Sequence, residues 1–265
     1  MLNQSLIALA CGDAYGSYFE LEGLIGSKFD INLLPDVSVK KVITDDTKMA
    51  LILFEHFNKY EKIKSKVLFN SYQKWALTDG SIDGIGYHTS KILLNNGLNK
   101  DSQGNGALMR VIPFGIELIK RGYSFEDAVF LMNKDSKLTH KNETIFMINR
   151  LALDISINGL DILNKEMYQD ILLKLKPGCT AWVINTFYIV LKTLKMKLSF
   201  MKGFKYIVSQ GGDTDTNCAI YGAIKGAKEN IEDEIDINFF LPKVLCNIII
   251  MQEGYVKRKF TYANI

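Results

Sequence analysis

Apolar residues recur along this chain at intervals of three and four, and almost nowhere at intervals of two. Leu2, Leu6, Leu9 and Ala10 open the pattern, and Met49, Ala50, Leu53, Phe54 and Phe57 repeat it on one face of a later segment. Such spacing marks one side of a helix. The first helix is predicted to end at Gly12-Asp13-Ala14-Tyr15-Gly16, with a loop leading on to Glu20, and residues 21–43 read as loop. Further helices are predicted over 63–77, closed by Asp79-Gly80, and over 143–158, 166–175, 181–196, 200–209, 217–229 and 239–253. A short helix fits between the glycine turns of 84–106, and 107–120 is helical with Pro113 starting or kinking a segment. Ser124 with Asp127 three residues on caps another that runs to about residue 133. No stretch alternates apolar and polar residues between hairpin turns, and no fixed repeat is present, so the predicted class is all-α.

With 265 residues, 48% of them hydrophobic, the chain can bury a full core. Only four prolines are present and no linker-like composition interrupts the pattern, so one domain over 1–265 is expected. Basic and acidic residues number 32 and 29 and are spread out, apart from Lys257-Arg258-Lys259, which is too little basic surface for a nucleic-acid footprint. Cys11, Cys179, Cys218 and Cys246 form no CxxC pair. That favours reduced thiols and a cytoplasmic location over a disulfide framework or a thiolate zinc site. Leu6 to Cys11 is too short for an export signal and has no basic residue before it. The apolar run Cys246 to Met251 falls far below the roughly 18 residues of a membrane span.

Against that background one stretch stands apart. Gly211-Gly212-Asp213-Thr214-Asp215-Thr216-Asn217 places two carboxylates and a hydroxyl at i, i+2 and i+3 behind a flexible glycine pair. The small residues Ala219, Gly222, Ala223, Gly226 and Ala227 follow at helical spacing, a face that lets another helix approach closely. Thr44-Asp45-Asp46-Thr47 opens a helix in the same manner. Acidic residues in a first turn commonly do no more than offset the helix dipole. Asp213 and Asp215 weaken that explanation, because two carboxylates so close repel unless a cation lies between them. The two acidic helix starts are therefore expected to be halves of one site, whose hard oxygen donors suit Mg²⁺ or Mn²⁺. A calcium-binding EF-hand loop starting at Asp213 fails, since its sixth and twelfth positions are Cys218 and Ile224. A DxDxT phosphohydrolase fits poorly, since the fifth residue is Asn217 and the surroundings are helical. Gly104-Asn105-Gly106, just before a helix, could present backbone N–H groups to a phosphate, although so short a motif is more often only a turn. His140, one of three histidines, lies in a polar loop where a surface role is the default.

Taken in order, Gly12-Asp13-Ala14-Tyr15-Gly16 with Glu20, Thr44-Asp45-Asp46-Thr47, Gly104 to Arg110, Leu138-Thr139-His140 and Gly211 to Asn217 resemble the ADP-ribosylglycohydrolase family. That family includes the dinitrogenase-reductase-activating glycohydrolases and hydrolases that remove ADP-ribose from proteins. The resemblance implies a compact all-α, orthogonal helical bundle around two Mg²⁺ or Mn²⁺ ions, with Thr44, Asp45, Asp46, Asp213, Asp215 and Thr216 in the metal-binding positions. Glu20 matches a mobile glutamate near the metals. Ser102, Gln103, Gly104, Asn105, Gly106 and Ala107 would lie along the diphosphate and distal ribose of ADP-ribose, and His140 would also touch that ligand. The implied activity is hydrolysis of the bond between ADP-ribose and a modified acceptor, with Glu20, Asp45 or Asp46 handling the proton. The acceptor stays open: arginine, serine, another group, or a nucleic acid only as a modified substrate. No membrane partner is implied and a monomer is expected. Lys228-Glu229-Asn230 replaces the family's usual aromatic-glycine continuation, which bears on the adenine pocket rather than on the metals. The alternative is a non-catalytic ADP-ribose binder or structural protein of the same fold, and the intact set of metal positions favours the enzyme.

Overall fold

Two helices far apart in sequence form the axis of the structure: α1 (Gln4–Leu21) and α11 (Thr214–Lys225). They run antiparallel, and every fourth residue brings backbone against backbone. A Cβ on Gly16 would lie 2.3 Å from the Thr214 carbonyl oxygen, and one on Gly12 would lie 2.3 Å from that of Cys218. From the other side, Gly222 meets the Ala8 carbonyl and Gly226 that of Gln4. Non-bonded carbons prefer separations near 3.5 to 4 Å, so any side chain at these glycines would force the pair apart. This corrects the expectation that the glycines end α1 before Glu20. They stay helical because their missing side chains are required by α11, and Glu20 belongs to the last turn of the helix.

The computed structural model describes residues 3–21, 31–95, 101–243 and 245. Leu2, the start of the 21–43 loop, the apolar run Cys246 to Met251, Cys246 itself and the Lys257-Arg258-Lys259 cluster fall outside the described residues, as does most of the helix expected over 239–253. The described residues contain no strand, only an isolated antiparallel bridge between Gly104 and Trp182. After α1 come α2 (Asp45–Tyr60), α3 (Ser65–Thr78), α4 (Tyr87–Asn95), α5 (Leu108–Lys120) and α6 (Phe125–Ser136). Then follow α7 (Glu143–Asn158), α8 (Gln169–Lys174), α9 (Val183–Lys195) and α10 (Phe200–Gln210), leading to α11. The fold is all-α.

The core is built on α5, which is buried from Leu108 to Ile116 and packs against α2, α6, α7 and α11. It continues through Pro113 rather than starting there. Around α11, α1 is joined by α9 and α10. No helix among the described residues is long and apolar enough to cross a membrane. The expected start of α11 at Asn217 is three residues late, which places Thr214, Asp215 and Thr216 inside its first turn.

Candidate active site

The N-termini of α2 and α11 meet beside α1. Gly211 and Gly212 sit at φ +73° and +83°, a left-handed conformation that glycine adopts without strain, and this turn swings the chain from α10 into α11. Thr44 ends the preceding loop in extended conformation, and α2 begins with Asp45 and Asp46 in its first turn. Asp46 Oδ2 accepts a hydrogen bond from Thr216 Oγ1 at 3.2 Å and lies 3.2 Å from Thr44 Oγ1, so one carboxylate spans both helix starts. Thr44, Asp45, Asp46, Asp215 and Thr216 are buried.

Asp13, deep in α1, organises this junction, and it was not among the site residues expected from sequence. It accepts hydrogen bonds from the Thr44 amide at 3.0 Å, the Thr47 amide at 3.1 Å, and both threonine hydroxyls. It thus caps α2 from a distance and satisfies donors that a helix start otherwise leaves open. Its only signal in the sequence is its place in the Gly12-Asp13 motif.

The electrostatics of the cluster are unbalanced. Carboxylate oxygens of Asp13, Asp46 and Asp215 lie within 4.8 Å of one another, as do those of Glu20, Asp213 and Asp215, so two acidic groups share Asp215. Burial first, then the neighbouring carboxylates, push Asp45, Asp46 and Asp215 well above the ordinary carboxylate range. Burial also raises Asp13, to about 6, despite its four donors. Glu20 is raised mainly by burial and hydrogen-bonds to Asp215. Two carboxyl groups in contact require a shared proton or a cation. Asp46 Oδ1 is buried and has no hydrogen-bond partner. An orphaned anionic oxygen of this kind is costly unless something cationic meets it. The donor set, all oxygen and mostly carboxylate, fits a hard divalent cation. Asp45 stands slightly apart: it feels Asp13 and Asp213, and its side chain accepts a long 3.4 Å bond from the Gly86 amide.

The Gly104 to Ala107 loop borders this cluster. Asn105 ties the two together by donating to Asp213 Oδ2 at 2.8 Å and to Thr186 Oγ1 at 2.9 Å. The backbone donors expected to be free for a phosphate are partly committed, since the Gly104 amide bonds Ser102 Oγ and the Asn105 amide bonds the Ala181 carbonyl. The glycines serve space rather than φ: a Cβ on Gly104 would lie 3.1 Å from His140 Nε2, and one on Gly106 3.2 Å from His140 Cε1. His140 is accordingly a buried residue at 1% exposure, which corrects the surface role expected for it. The turn holding it is short and tied to Ser136 by backbone bonds, so the polar sequence around it does not expose it.

A cavity of about 490 Å³ lies at the opposite end of α11, among Lys197, Lys225, Lys228 and Glu229. The helices α7, α9 and α11 end around it, and lysines there offset their negative ends.

Residues 3–233 match the family model described as ADP-ribosylglycohydrolase. The chain belongs to the ADP-ribosylglycohydrolase family. It is 26% identical over 288 residues to a candidate ADP-ribosyl glycohydrolase of Acanthamoeba polyphaga mimivirus, an alignment covering 84% of this chain and 85% of that protein. A solved ADP-ribosylglycohydrolase-related protein complex shares its fold, with a TM-score of 0.74, 20% identity and 96% of both chains covered. The ADP-ribosylglycohydrolase match spans both acidic helix starts and the loop between them in sequence.

Proposed function

We propose that this protein hydrolyses the glycosidic bond between the anomeric ribose carbon of ADP-ribose and an acceptor such as an arginine or serine side chain. It does so as a single-domain monomer of the cytoplasm. The observation that carries the reading is the convergence of Glu20, Asp45, Asp46, Asp213 and Asp215 at two touching helix starts, with one buried carboxylate oxygen unpartnered. Thr44, Asp45, Asp46, Asp213, Asp215 and Thr216 would hold two divalent ions, Mg²⁺ or Mn²⁺. Bound there, such ions supply Lewis acidity toward the ribose hydroxyls and a water.

The chain's own groups do the rest. A developing oxocarbenium ion is cationic, and the carboxylates around it stabilise that charge. Glu20, in the last turn of α1 against Asp215, would take a proton from the attacking water, with Asp45 or Asp46 as the alternative acceptor. Ser102, Gln103, Gly104, Asn105, Gly106 and Ala107 would run along the diphosphate and distal ribose, with His140 packed against Gly104 and Gly106.

The test is release of ADP-ribose from modified arginine, serine and DNA substrates with Mg²⁺, Mn²⁺ or chelator. Metal-dependent release from one substrate is expected, and Asp215→Ala should abolish it. ADP-ribose binding without release from any substrate would leave a non-catalytic binder instead. Glu20→Gln should retain metal and ADP-ribose binding while turnover falls by about 10²- to 10⁴-fold, the contribution usual for a general base.

A further inference from the structure

The largest fully buried side chain outside the acidic cluster is Arg110, and its hydrogen bonds run to two separate parts of the site. Its Nε donates to Asp135 Oδ2 at 2.8 Å, and Tyr72 donates to the other Asp135 oxygen at 2.8 Å while its ring lies under the guanidinium. Its Nη1 donates to the Gly106 carbonyl, inside the ligand loop, and its Nη2 to Thr139 Oγ1 at 2.9 Å. Thr139 Oγ1 lies in turn 2.9 Å from His140 Nδ1. A guanidinium has no lone pair, so the first contact runs only from Arg110 to the hydroxyl. The contact engages one oxygen lone pair and leaves the hydroxyl's single proton free to be donated to Nδ1. A neutral imidazole that accepts at Nδ1 carries its hydrogen on Nε2.

We infer that Arg110 is a positioning residue that acts through Thr139 to lock His140 in the Nε2–H tautomer, aiming one N–H donor at the Gly104–Gly106 loop for an anionic oxygen of the ligand. The inference rests on the ADP-ribose reading only for the identity of that ligand. Its geometry stands independently, since Nε2 is the ring atom closest to Gly104 and Cε1 the one closest to Gly106. A donor from a side chain is of use there because the Gly104 and Asn105 amides are already engaged. The charged and titratable groups around the ring are Arg110 and His88. The His88 ring lies 4.8 Å away, and its Nε2 is fixed as a donor by the Thr139 carbonyl at 3.2 Å. Burial, then Arg110 and His88, hold His140 well below the usual imidazole range, which keeps the ring neutral so that its tautomer is defined.

Long-range ¹H–¹⁵N spectra of histidine-labelled protein test this directly, with His140→Gln supplying the assignment. The expected result is a single Nε2–H signature for His140, unchanged between pH 6 and 9. Thr139→Val should convert it to a mixed or Nδ1–H signature, and Thr139→Ser should restore it. An Nδ1–H signature in the unmodified protein, or an unchanged one in Thr139→Val, would overturn the relay. Calorimetry with ADP-ribose should show affinity about tenfold lower in Thr139→Val, the loss of one well-placed hydrogen bond. Mn²⁺ affinity should be unchanged, which a general loss of structure would not allow. Failure of the unmodified protein to bind ADP-ribose would overturn the substrate reading alone, because the spectra decide the relay without any ligand.

Discussion

Two buried charged clusters flank the same loop, and they are built on opposite plans. Around Arg110, one cation meets one carboxylate, both fully buried, and Tyr72, Thr139 and two carbonyls complete the hydrogen bonding. Around Asp46, carboxylates gather with no cationic side chain bonded to that residue among the described residues, and its Oδ1 is left without a hydrogen-bond partner. Burial makes either charge expensive, so a balanced cluster needs nothing from outside while an unbalanced one needs a counter-charge. The first is scaffold. The second is a candidate cation site.

The sharpest way to break this contrast is to unbalance the scaffold. Arg110→Met strands the buried Asp135 carboxylate and should cost about 3 to 5 kcal/mol in urea unfolding. A loss well under 1 kcal/mol would mean that the ion pair holds nothing. Next comes the axis that brings the acidic helix starts together. Gly16→Val inserts a side chain where even a Cβ lies 2.3 Å from the Thr214 carbonyl. It should cost about 1 to 3 kcal/mol as overpacking does and remove the thermal stabilisation given by Mn²⁺. Retention of the full metal-induced shift would show that α1 and α11 need not be in register for the site.

A smaller effect separates the clusters by pH. Asp13, Asp45, Asp46 and Asp215 have raised values in the folded state, with Asp13 near 6 against an ordinary 3.8. Between the unfolded and folded values the native state binds more protons, so unfolding free energy falls as pH rises. Metal-free protein should therefore melt higher at pH 5 than at pH 7. With saturating Mn²⁺ the sign should reverse, because protons compete with the ion. Identical pH profiles with and without metal would contradict the unbalanced description.

Among the described residues, helix positions and faces were legible because the 3.6-residue period of buried positions is strong in α2, α7, α9 and α10. The expected span of α7 coincides with the structure. The convergence of the acidic residues was legible too, since Asp213 and Asp215 crowd two carboxylates behind a glycine pair. What escaped was whatever depends on a distant neighbour. Gly12 and Gly16 look like helix stops until α11 lies against them. Asp13 is an ordinary helix residue until Thr44 and Thr47 reach it across more than thirty positions. His140 looks exposed in its polar turn until Arg110, Thr139 and the glycine loop close over it. Local pattern carries secondary structure and composition carries chemistry, but long-range packing decides which glycine is a hinge and which is a contact.

The central claim is that the carboxylates at the meeting of α2 and α11 form a divalent-cation site. Isothermal titration of metal-stripped protein with Mn²⁺, beside Asp46→Asn, tests it most directly. Saturable binding of two ions is expected, with affinity at least about 100-fold weaker in the variant, beyond the loss typical of residues that merely support a ligand. Equal binding by both proteins, or no binding by the unmodified chain at millimolar Mn²⁺, would contradict it.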